Sequence, residues 1–511
     1  MNTDKTLKIG FNTFDSRVLS HQPAYELFKK AGKGVDFVLC HFDPQNKNYP
    51  DSLQDASDVG RVLAEDGIDY IANYEFQNFL LDSVSPDGHD WANRPDGTHR
   101  LDLPEEYVAR HAANPNFIGI MHDELEHAIV NRNLSIRLAY KFKKDIPVFP
   151  VPDTDSADEQ FDALNAQLKE FKDDLVSKGG KCLAGEHVLP VMFHIFASNG
   201  IIPNFKSQKE SYSDIMFACA AGAALEYGTP LYNCVDTWFR NTQPGHSPEE
   251  MYANLVFAYY AGVNRAYVES SNAFIDGKEG GMNEYGRQFI RFSEGFRGRE
   301  RDYDVSDYRP ETGIIRFDDT YWGQWDRWFW KNILFGNPRI KPSKASKEWI
   351  RAWHVITHGE TSKKTFLWDR IAPWALRKHR SFATFNSAAV FDDNAGEEVL
   401  SSLKLCFLCG TRISEKTLAA VSKLVKENGL TAVTSPRYAP KDIKSKCTGG
   451  FSEIADGKGR WIVTNDIGSN KVRKAVSSLL GNKNEIRLTF RGREIRLAVD
   501  ADGNGFKVIS E

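Results

Sequence analysis

Three acidic residues of the sequence directly follow short apolar segments. Glu124 ends the segment Ile-Gly-Ile-Met-His-Asp-Glu, Asp236 ends Tyr-Asn-Cys-Val-Asp, and Glu269 ends Arg-Ala-Tyr-Val-Glu. A carboxylate at the end of a buried strand lies at the edge of the core, where partial burial shifts its pKa. Carboxyl groups that face one another there can serve as proton donor, base or nucleophile. We therefore treat these three residues as the candidate catalytic groups.

The segments that carry these acids alternate with amphipathic stretches, a pattern typical of βα units and a parallel sheet. One helix start is well marked, because Ser247 is a suitable N-cap and Pro248 suits the first helical position. The predicted strands cover residues 7–14, 35–42, 68–74, 117–122, 188–196, 231–235, 265–268 and 313–317. Eight strands over about 350 residues predict a (β/α)8 barrel, also called a TIM barrel, of the α/β class.

A doubly wound sheet is the alternative fold. Such a sheet usually carries a Gly-rich phosphate-binding loop after its first strand. The first strand here ends in Gly-Phe-Asn-Thr-Phe-Asp and contains no such loop. The sequence therefore favours the barrel, and it predicts no nucleotide or other cofactor.

Polar and aromatic residues follow most of the predicted strands. In a barrel the active site lies at the carboxyl ends of the strands, so these residues would line its mouth. Tryptophan can also stack on flat, partly apolar ligands. The predicted substrate-binding residues are Asp15, Glu75, His122, Asp123, His194, Trp238, Asp319 and Trp322.

Hydrolysis of a glycosidic bond requires two carboxyl groups on opposite sides of that bond. Glu124 and Glu269 would face each other across the mouth if they follow the fourth and seventh strands. In this respect the sequence resembles the clan of retaining barrel glycosidases. The resemblance implies that Glu124 is the acid/base and Glu269 the nucleophile. Asp123 stands where that clan usually has Asn.

A second resemblance is to glycoside hydrolase family 98, an inverting family with acids after strands four, six and seven. Asp236 would then occupy the strand-six position. This resemblance implies that Asp236 and Glu269 hold the attacking water and that Glu124 is the acid. The sequence leaves the two arrangements open.

A second α/β unit begins near residue 384. Residues 387–436 have a strand–helix–strand order around the segment Leu-Cys-Phe-Leu-Cys-Gly. They are similar to the Rossmann-like, amidotransferase-like domain that follows the barrel in family-42 β-galactosidases, and the resemblance implies a homo-oligomer formed through this domain. The predicted domains are a catalytic barrel (1–383), a Rossmann-like domain (384–440) and a small C-terminal α+β segment (441–511).

Composition excludes several other classes of protein. The net charge of −4 argues against nucleic acid as a partner. No apolar segment is long enough to span a membrane, and no signal peptide is evident. The compartment stays open, since a secreted or periplasmic protein whose signal has been removed would have the same sequence.

The cysteines and histidines predict neither a disulfide framework nor a metal site. The seven cysteines are odd in number and irregularly spaced. His122 and His127 are five residues apart, whereas the helical zinc motif requires two His four apart.

The sequence therefore predicts a glycoside hydrolase that cleaves an oligo- or polysaccharide with paired carboxylates. Alternatives on the same barrel are a polysaccharide lyase, a metal-dependent hydrolase and a non-catalytic carbohydrate-binding protein. A lyase would need basic groups at the strand ends, which here are acidic.

Overall fold

A computed structural model describes residues 5–13, 23–31, 34–42, 53–74, 103–130, 152–207, 213–237, 246–269, 274–276, 281–324, 332–366 and 380–511. Its first part is a closed barrel of eight parallel strands, each paired with the next and the last with the first. The predicted (β/α)8 barrel is thus confirmed. The barrel strands are β1 (Lys8–Thr13), β2 (Phe37–His41), β3 (Asp69–Asn73), β4 (Phe117–Asp123), β5 (Leu183–His187), β6 (Ile202–Ser207), β7 (Tyr232–Asp236) and β8 (Arg265–Glu269).

Helices accompany the barrel strands. The N-cap Ser247 accepts a hydrogen bond from the backbone N–H of Glu250, and the Glu250 side chain accepts one from the Ser247 N–H, as the sequence predicts. The helices of this part are α1 (Pro23–Lys30), α2 (Leu53–Glu65), α3 (Glu105–Ala112), α4 (Leu125–Val130), α5 (Ala157–Ser177), α6 (Phe193–Ser198), α7 (Ser213–Tyr227), α8 (Pro248–Tyr260) and α9 (Glu284–Phe296). A two-stranded ribbon, β9 (Ile275–Asp276) and β10 (Gly281–Met282), precedes α9.

The barrel interior is filled by apolar side chains at alternate strand positions. Because successive residues of a strand point to opposite faces, one set faces inward and the other faces the helices. The inward-facing apolar set is Phe37, Leu39, Ile71, Met121, Ala184, Ile202, Tyr232, Cys234 and Tyr267. Four members of this set are followed, two residues later toward the carboxyl end of the strand, by an acidic residue. These acids are Asp123, Glu186, Asp236 and Glu269.

The second half of the barrel corrects the sequence prediction. The predicted fifth strand, 188–196, is a loop followed by α6, whereas β5 and β6 were not predicted. Its apolar residues are buried without being a strand, since Pro190 has no N–H to donate and Met192 has a left-handed backbone (φ 67°). The predicted sixth and seventh strands are therefore β7 and β8.

The predicted eighth strand, 313–317, lies outside the barrel. Its residues form β11 (Thr312–Arg316), an inner strand of a six-stranded sheet in the order β13-β11-β14-β15-β17-β16. All pairings are parallel except that of β16 with β17. The other strands are β13 (Ala388–Asp392), β14 (Leu405–Leu408), β15 (Thr431–Thr434), β16 (Phe451–Asp456) and β17 (Gly459–Thr464).

A four-stranded sheet completes the chain in the order β12-β18-β19-β20. It consists of β12 (Phe385–Asn386), β18 (Glu485–Phe490), β19 (Arg493–Val499) and β20 (Phe506–Ser510). The helices of this half are α10 (Glu348–Ile356), α11 (Glu397–Leu400), α12 (Glu415–Asn428), α13 (Lys441–Lys444) and α14 (Asn470–Ala475), with short 3-10 turns at Val305–Asp307, Ala345–Lys347 and Ser477–Leu479. The predicted domain limits stay predictions, but β11 comes from a segment that was assigned to the barrel.

Helix α7 joins the barrel to the six-stranded sheet. Its first twelve residues are all buried, as expected for a helix that is apolar on every side. A Cβ at Gly222 would lie 1.7 Å from the carbonyl oxygen of Val390 on β13, so the helix and the strand are in backbone contact. No helix in the described ranges is long and apolar enough to cross a membrane.

Candidate active site

A buried lysine lies at the centre of the barrel mouth. Lys206 is on β6, its side chain is 2 % exposed, and five carboxylates surround its ammonium group. Its Nζ lies 2.8 Å from Glu269 Oε2, 2.9 Å from Glu186 Oε1, 3.3 Å from Glu124 Oε1, 3.6 Å from Asp123 Oδ1 and 3.7 Å from Asp236 Oδ2. These carboxylates come from β4, β5, β7, β8 and the turn after β4, so the three predicted catalytic acids do meet.

The strands fix where each acid lies. Asp236 and Glu269 are paired in register on the neighbouring strands β7 and β8, so their side chains are adjacent on the inward face. Glu124 is the first residue after β4 and has a left-handed backbone (φ 55°). This conformation is unusual for a residue other than glycine, and it turns the chain from β4 into α4.

Lys206 remains charged despite its burial. Burial alone would lower the pKa of its ammonium, but the nearby carboxylates, Asp123 and Glu186 first among them, raise that pKa well above its usual value. An amine attacks a carbonyl group only when it is deprotonated. Lys206 is therefore suited to balance negative charge and poorly suited to form a Schiff base.

Glu186 is a fully buried acid within the cluster. Burial, followed by the charge of Asp123, raises the pKa of Glu186 well above its usual value. Its Oε2 accepts hydrogen bonds from Tyr267 Oη and from Asn204 Nδ2, the latter at 3.3 Å. The Glu186 side chain is thus held from two sides, because Lys206 contacts its Oε1 while Tyr267 and Asn204 donate to its Oε2.

Glu124 is the acid that a ligand reaches most easily. Its side chain is 22 % exposed, compared with 7 % for Glu269 and 6 % for Asp236. Burial would raise the pKa of Glu124, but Lys206 and His127 outweigh it and hold that pKa below its usual value. The His127 ring nitrogen Nδ1 lies 3.8 Å from Glu124 Oε2.

Asp123 is held by a buried chain of polar groups. Asn73 Nδ2 donates to Asp123 Oδ2 at 3.2 Å and lies 3.1 Å from His41 Nε2. All three side chains are fully buried. Asp123 is thus fixed in the wall of the mouth next to Lys206.

One group of side chains has the composition of a metal site. Glu186, Cys234 and Glu269 each present a ligand atom within 4.8 Å of the others. The Lys206 ammonium already lies within 2.9 Å of both carboxylates and balances their charge. A metal ion there would have to displace this ammonium, so the donor set does not suit a metal ion.

Two predicted substrate-binding histidines lie away from the mouth, which corrects the sequence prediction. His122 alternates with Asp123 on β4 and therefore faces outward, against Phe171 of α5. Burial lowers the pKa of His122 to about 3, and neither ring nitrogen has a hydrogen-bond partner among the described residues. His194 lies on α6, with Nε2 2.9 Å from the carbonyl oxygen of Val390.

Asp319 and Trp322 do not follow a barrel strand, because β11 belongs to the six-stranded sheet. They lie in the segment that follows β11 in the six-stranded sheet, where Asp319 Oδ1 accepts the backbone N–H of Tyr321 at 3.1 Å. Trp322 is buried there. The predicted residues Asp15, Glu75 and Trp238 fall outside the described residues.

Sequence reasoning missed Lys206 and Glu186, which lie on the two strands that were not predicted. A usable signal exists in Ile202-Pro-Asn-Phe-Lys-Ser207, where polar Asn204 and Lys206 alternate with apolar Phe205. The renumbered strands also change the family comparison. Asp236 ends β7 and Glu269 ends β8. The strand position that both resemblances imply for Glu269 is therefore wrong, and so is the one that family 98 implies for Asp236.

No protein-family model and no curated protein matches this sequence. Among solved structures, the chain is similar to an exo-β-1,4-mannosidase from Opitutaceae bacterium strain TAV5, with 11 % identity, coverage of 98 % of this chain and 91 % of that one, and a TM-score of 0.47. It is also similar to an exo-carrageenase of family GH42 from Bacteroides ovatus (10 %, 97 % and 73 %, TM-score 0.42). An HpcH/HpaI aldolase from Desulfitobacterium hafniense DCB-2 matches as well (12 %, 53 % and 88 %, TM-score 0.27). At these identities the likenesses concern the fold, and the neighbours include glycosidases and other enzymes.

Proposed function

We propose that this chain is a glycoside hydrolase whose catalytic groups are the carboxylates at the barrel mouth. The observation that carries the proposal is the convergence of Glu124, Asp236 and Glu269 within 4.0 Å of Lys206 Nζ. Glycosidase chemistry needs carboxyl groups held at a fixed distance on two sides of one bond. A barrel mouth is also the usual place for an active site.

The roles follow from exposure and position. Glu124, the more exposed acid, protonates the leaving oxygen while Glu269 attacks the anomeric carbon from the strand opposite. The glycosidic bond breaks and a glycosyl ester of Glu269 forms. Glu124 then removes a proton from water, which displaces Glu269 and releases the sugar.

The two acids meet at one point, as this two-step route requires. Glu124 Oε1 and Glu269 Oε2 contact the same nitrogen at 3.3 and 2.8 Å, so these two oxygens are no further apart than the total of the two distances. This bound accommodates the roughly 5–5.5 Å between the carboxyl groups of a retaining enzyme. We therefore expect retention of anomeric configuration.

Asp236 defines the competing route. Because it is paired in register with Glu269, the two carboxylates could together hold an attacking water and give inversion.

A polysaccharide lyase is disfavoured by the charge of the mouth. Among the described groups, five carboxylates surround one ammonium, so the mouth is acidic and repels the uronate that a lyase binds.

The test is a screen of the purified protein against plant, algal and animal glycans for the release of reducing ends. A cleaved glycan then allows the first product anomer to be followed by NMR. Retention, with at most about a tenfold loss in Asp236→Asn, supports the Glu124–Glu269 pair. Inversion with a large loss in Asp236→Asn rejects that pair in favour of the three-acid arrangement, and no cleavage of any glycan rejects hydrolysis.

A further inference from the structure

We propose that Lys206 is the positioning residue of this site: its ammonium ties Glu124 and Glu269 to one point and compensates the charge of the carboxylate cluster. The inference deepens the proposed function and rests on it for its catalytic part. Its structural part concerns the cluster alone and can be tested without a substrate.

The geometry supports the positioning role. Glu124 follows β4 and Glu269 ends β8, two strands on opposite sides of an eight-stranded barrel. Lys206 starts from β6, between them, and contacts both across the mouth. A side chain in contact with both acids limits the motion of each, and catalytic groups must be held within about 0.5 Å of their working geometry.

The cluster also requires a cation. The groups that face the ammonium are Asp123 and Glu124 at the end of β4, Glu186 of β5, Asp236 and Cys234 of β7, and Glu269 of β8, with His127 of α4 behind Glu124. Removing one partner of a buried ion pair leaves uncompensated charge, which is strongly destabilising. Carboxylates in that situation take up protons, so the loss of Lys206 should be tolerated better in acid.

The first experiment compares thermal unfolding of wild type, Lys206→Met and Lys178→Met at pH 5 and pH 7. Lys178 is a matched control, because it is partly buried and pairs with Asp174 at 2.5 Å outside the barrel. We expect Lys206→Met to lower the unfolding midpoint by several degrees at pH 7 and by clearly less at pH 5. Lys178→Met should lower the unfolding midpoint slightly and by the same amount at both pH values. If Lys206→Met also lowers the midpoint by the same amount at pH 5 and pH 7, the proposal is overturned.

A double variant keeps the test decisive where Lys206→Met alone does not fold. Lys206→Met with Glu269→Gln removes one cation and one anion together. We expect the double variant to be more stable at pH 7 than Lys206→Met alone, or to fold where the single variant does not. A double variant that is no more stable contradicts the charge-compensating role.

The catalytic part uses the glycan that the screen identifies. A misplacement of about 1 Å can cost about 100-fold in rate, so Lys206→Met should lose at least about 100-fold in kcat with little change in KM. The acid limb of its pH profile should move to higher pH, and Lys206→Arg should recover part of the rate. A wild-type pH profile in Lys206→Met overturns the catalytic role. If no glycan is cleaved while the pH-dependent stability deficit is present, the charge-compensating role stands and the proposed hydrolysis fails.

Discussion

At Glu124, burial and two nearby basic groups act on one carboxyl group in opposite directions. Burial favours the protonated form, whereas Lys206 and His127 favour the charged form and prevail, so the pKa of Glu124 lies below its usual value. In the free protein at neutral pH this residue is therefore ionised. A general acid must carry a proton when the substrate binds, and only a small fraction of Glu124 does so at pH 7.

This balance predicts an acidic optimum. As the pH falls from neutral, the protonated fraction of Glu124 rises, so kcat/KM should rise with it. The measurement is a pH profile of kcat/KM for the wild type and for Glu170→Gln, an exposed acid on the outer helix α5. Both should have the same optimum below pH 7. An optimum on the alkaline side would contradict the assignment of Glu124 as the acid.

The acids could be found from the sequence because each one ends an apolar strand. Asp236 and Glu269 each follow a short run that contains tyrosine and valine, and Glu124 follows a longer apolar run. Lys206 and Glu186 could not be found in this way, since a buried charged residue is stable only through partners distant in sequence. Strand β6 is marked only by the alternation of polar Asn204 and Lys206 with apolar Phe205, which is a weaker pattern than a continuous apolar run.

Among the elements, α4 and the loop after β5 are joined through one buried acid. Glu126 Oε1 accepts the backbone N–H groups of Val188 at 2.7 Å and of Leu189 at 3.1 Å. The Glu126 side chain is fully buried, and burial raises its pKa to about 8. This acid anchors the segment that was mistaken for a strand.

Glu126→Gln should change how stability depends on pH. The folded-state pKa of about 8 lies above the unfolded value, so the stability that Glu126 contributes is present below about pH 4.5 and is lost as the pH rises through 8. Glutamine keeps the accepting oxygen and does not titrate. The unfolding midpoint of Glu126→Gln, relative to wild type, should therefore increase from pH 5 to pH 8. The exposed control Glu170→Gln should show no such trend, and parallel curves for Glu126→Gln and wild type would contradict the account.

Among the barrel strands, the sequence predicted β1 to β4, β7 and β8, because each is a short apolar run bounded by polar segments. It failed at 188–196, where an apolar segment is buried as a loop and a helix. It also assigned β11 to the barrel, because an inner strand of either parallel sheet is buried on both faces and has the same composition. Only the pairing of β11 with β13 and β14 shows that this strand belongs to the six-stranded sheet and not to the barrel.

Over the whole molecule, the barrel and the six-stranded sheet meet at α7 and β13. The contact leaves no space for a side chain at Gly222, where a Cβ would lie 1.7 Å from the carbonyl oxygen of Val390. Self-association through the C-terminal half stays a prediction of the sequence.

Two glycine substitutions test this contact. Gly→Ala within a helix normally stabilises by about 0.5–1 kcal/mol, and we expect this at Gly295 of α9, where a Cβ would meet nothing within 4 Å. At Gly222 the same change forces α7 away from β13 and should destabilise by about 1–3 kcal/mol or more. Thermal unfolding midpoints should therefore move in opposite directions. Equal behaviour of the two variants would show that α7 and β13 are not in backbone contact.

The proposed glycosidase activity depends on the carboxylates around Lys206. The most direct test measures reducing ends released from a broad glycan panel by wild type, Glu124→Gln, Glu269→Gln and the exposed control Glu170→Gln, after each variant is shown to be folded. We expect release from at least one glycan by wild type and by Glu170→Gln, and a loss of at least about 100-fold in both site variants. Release by Glu124→Gln or Glu269→Gln at the wild-type rate would contradict it.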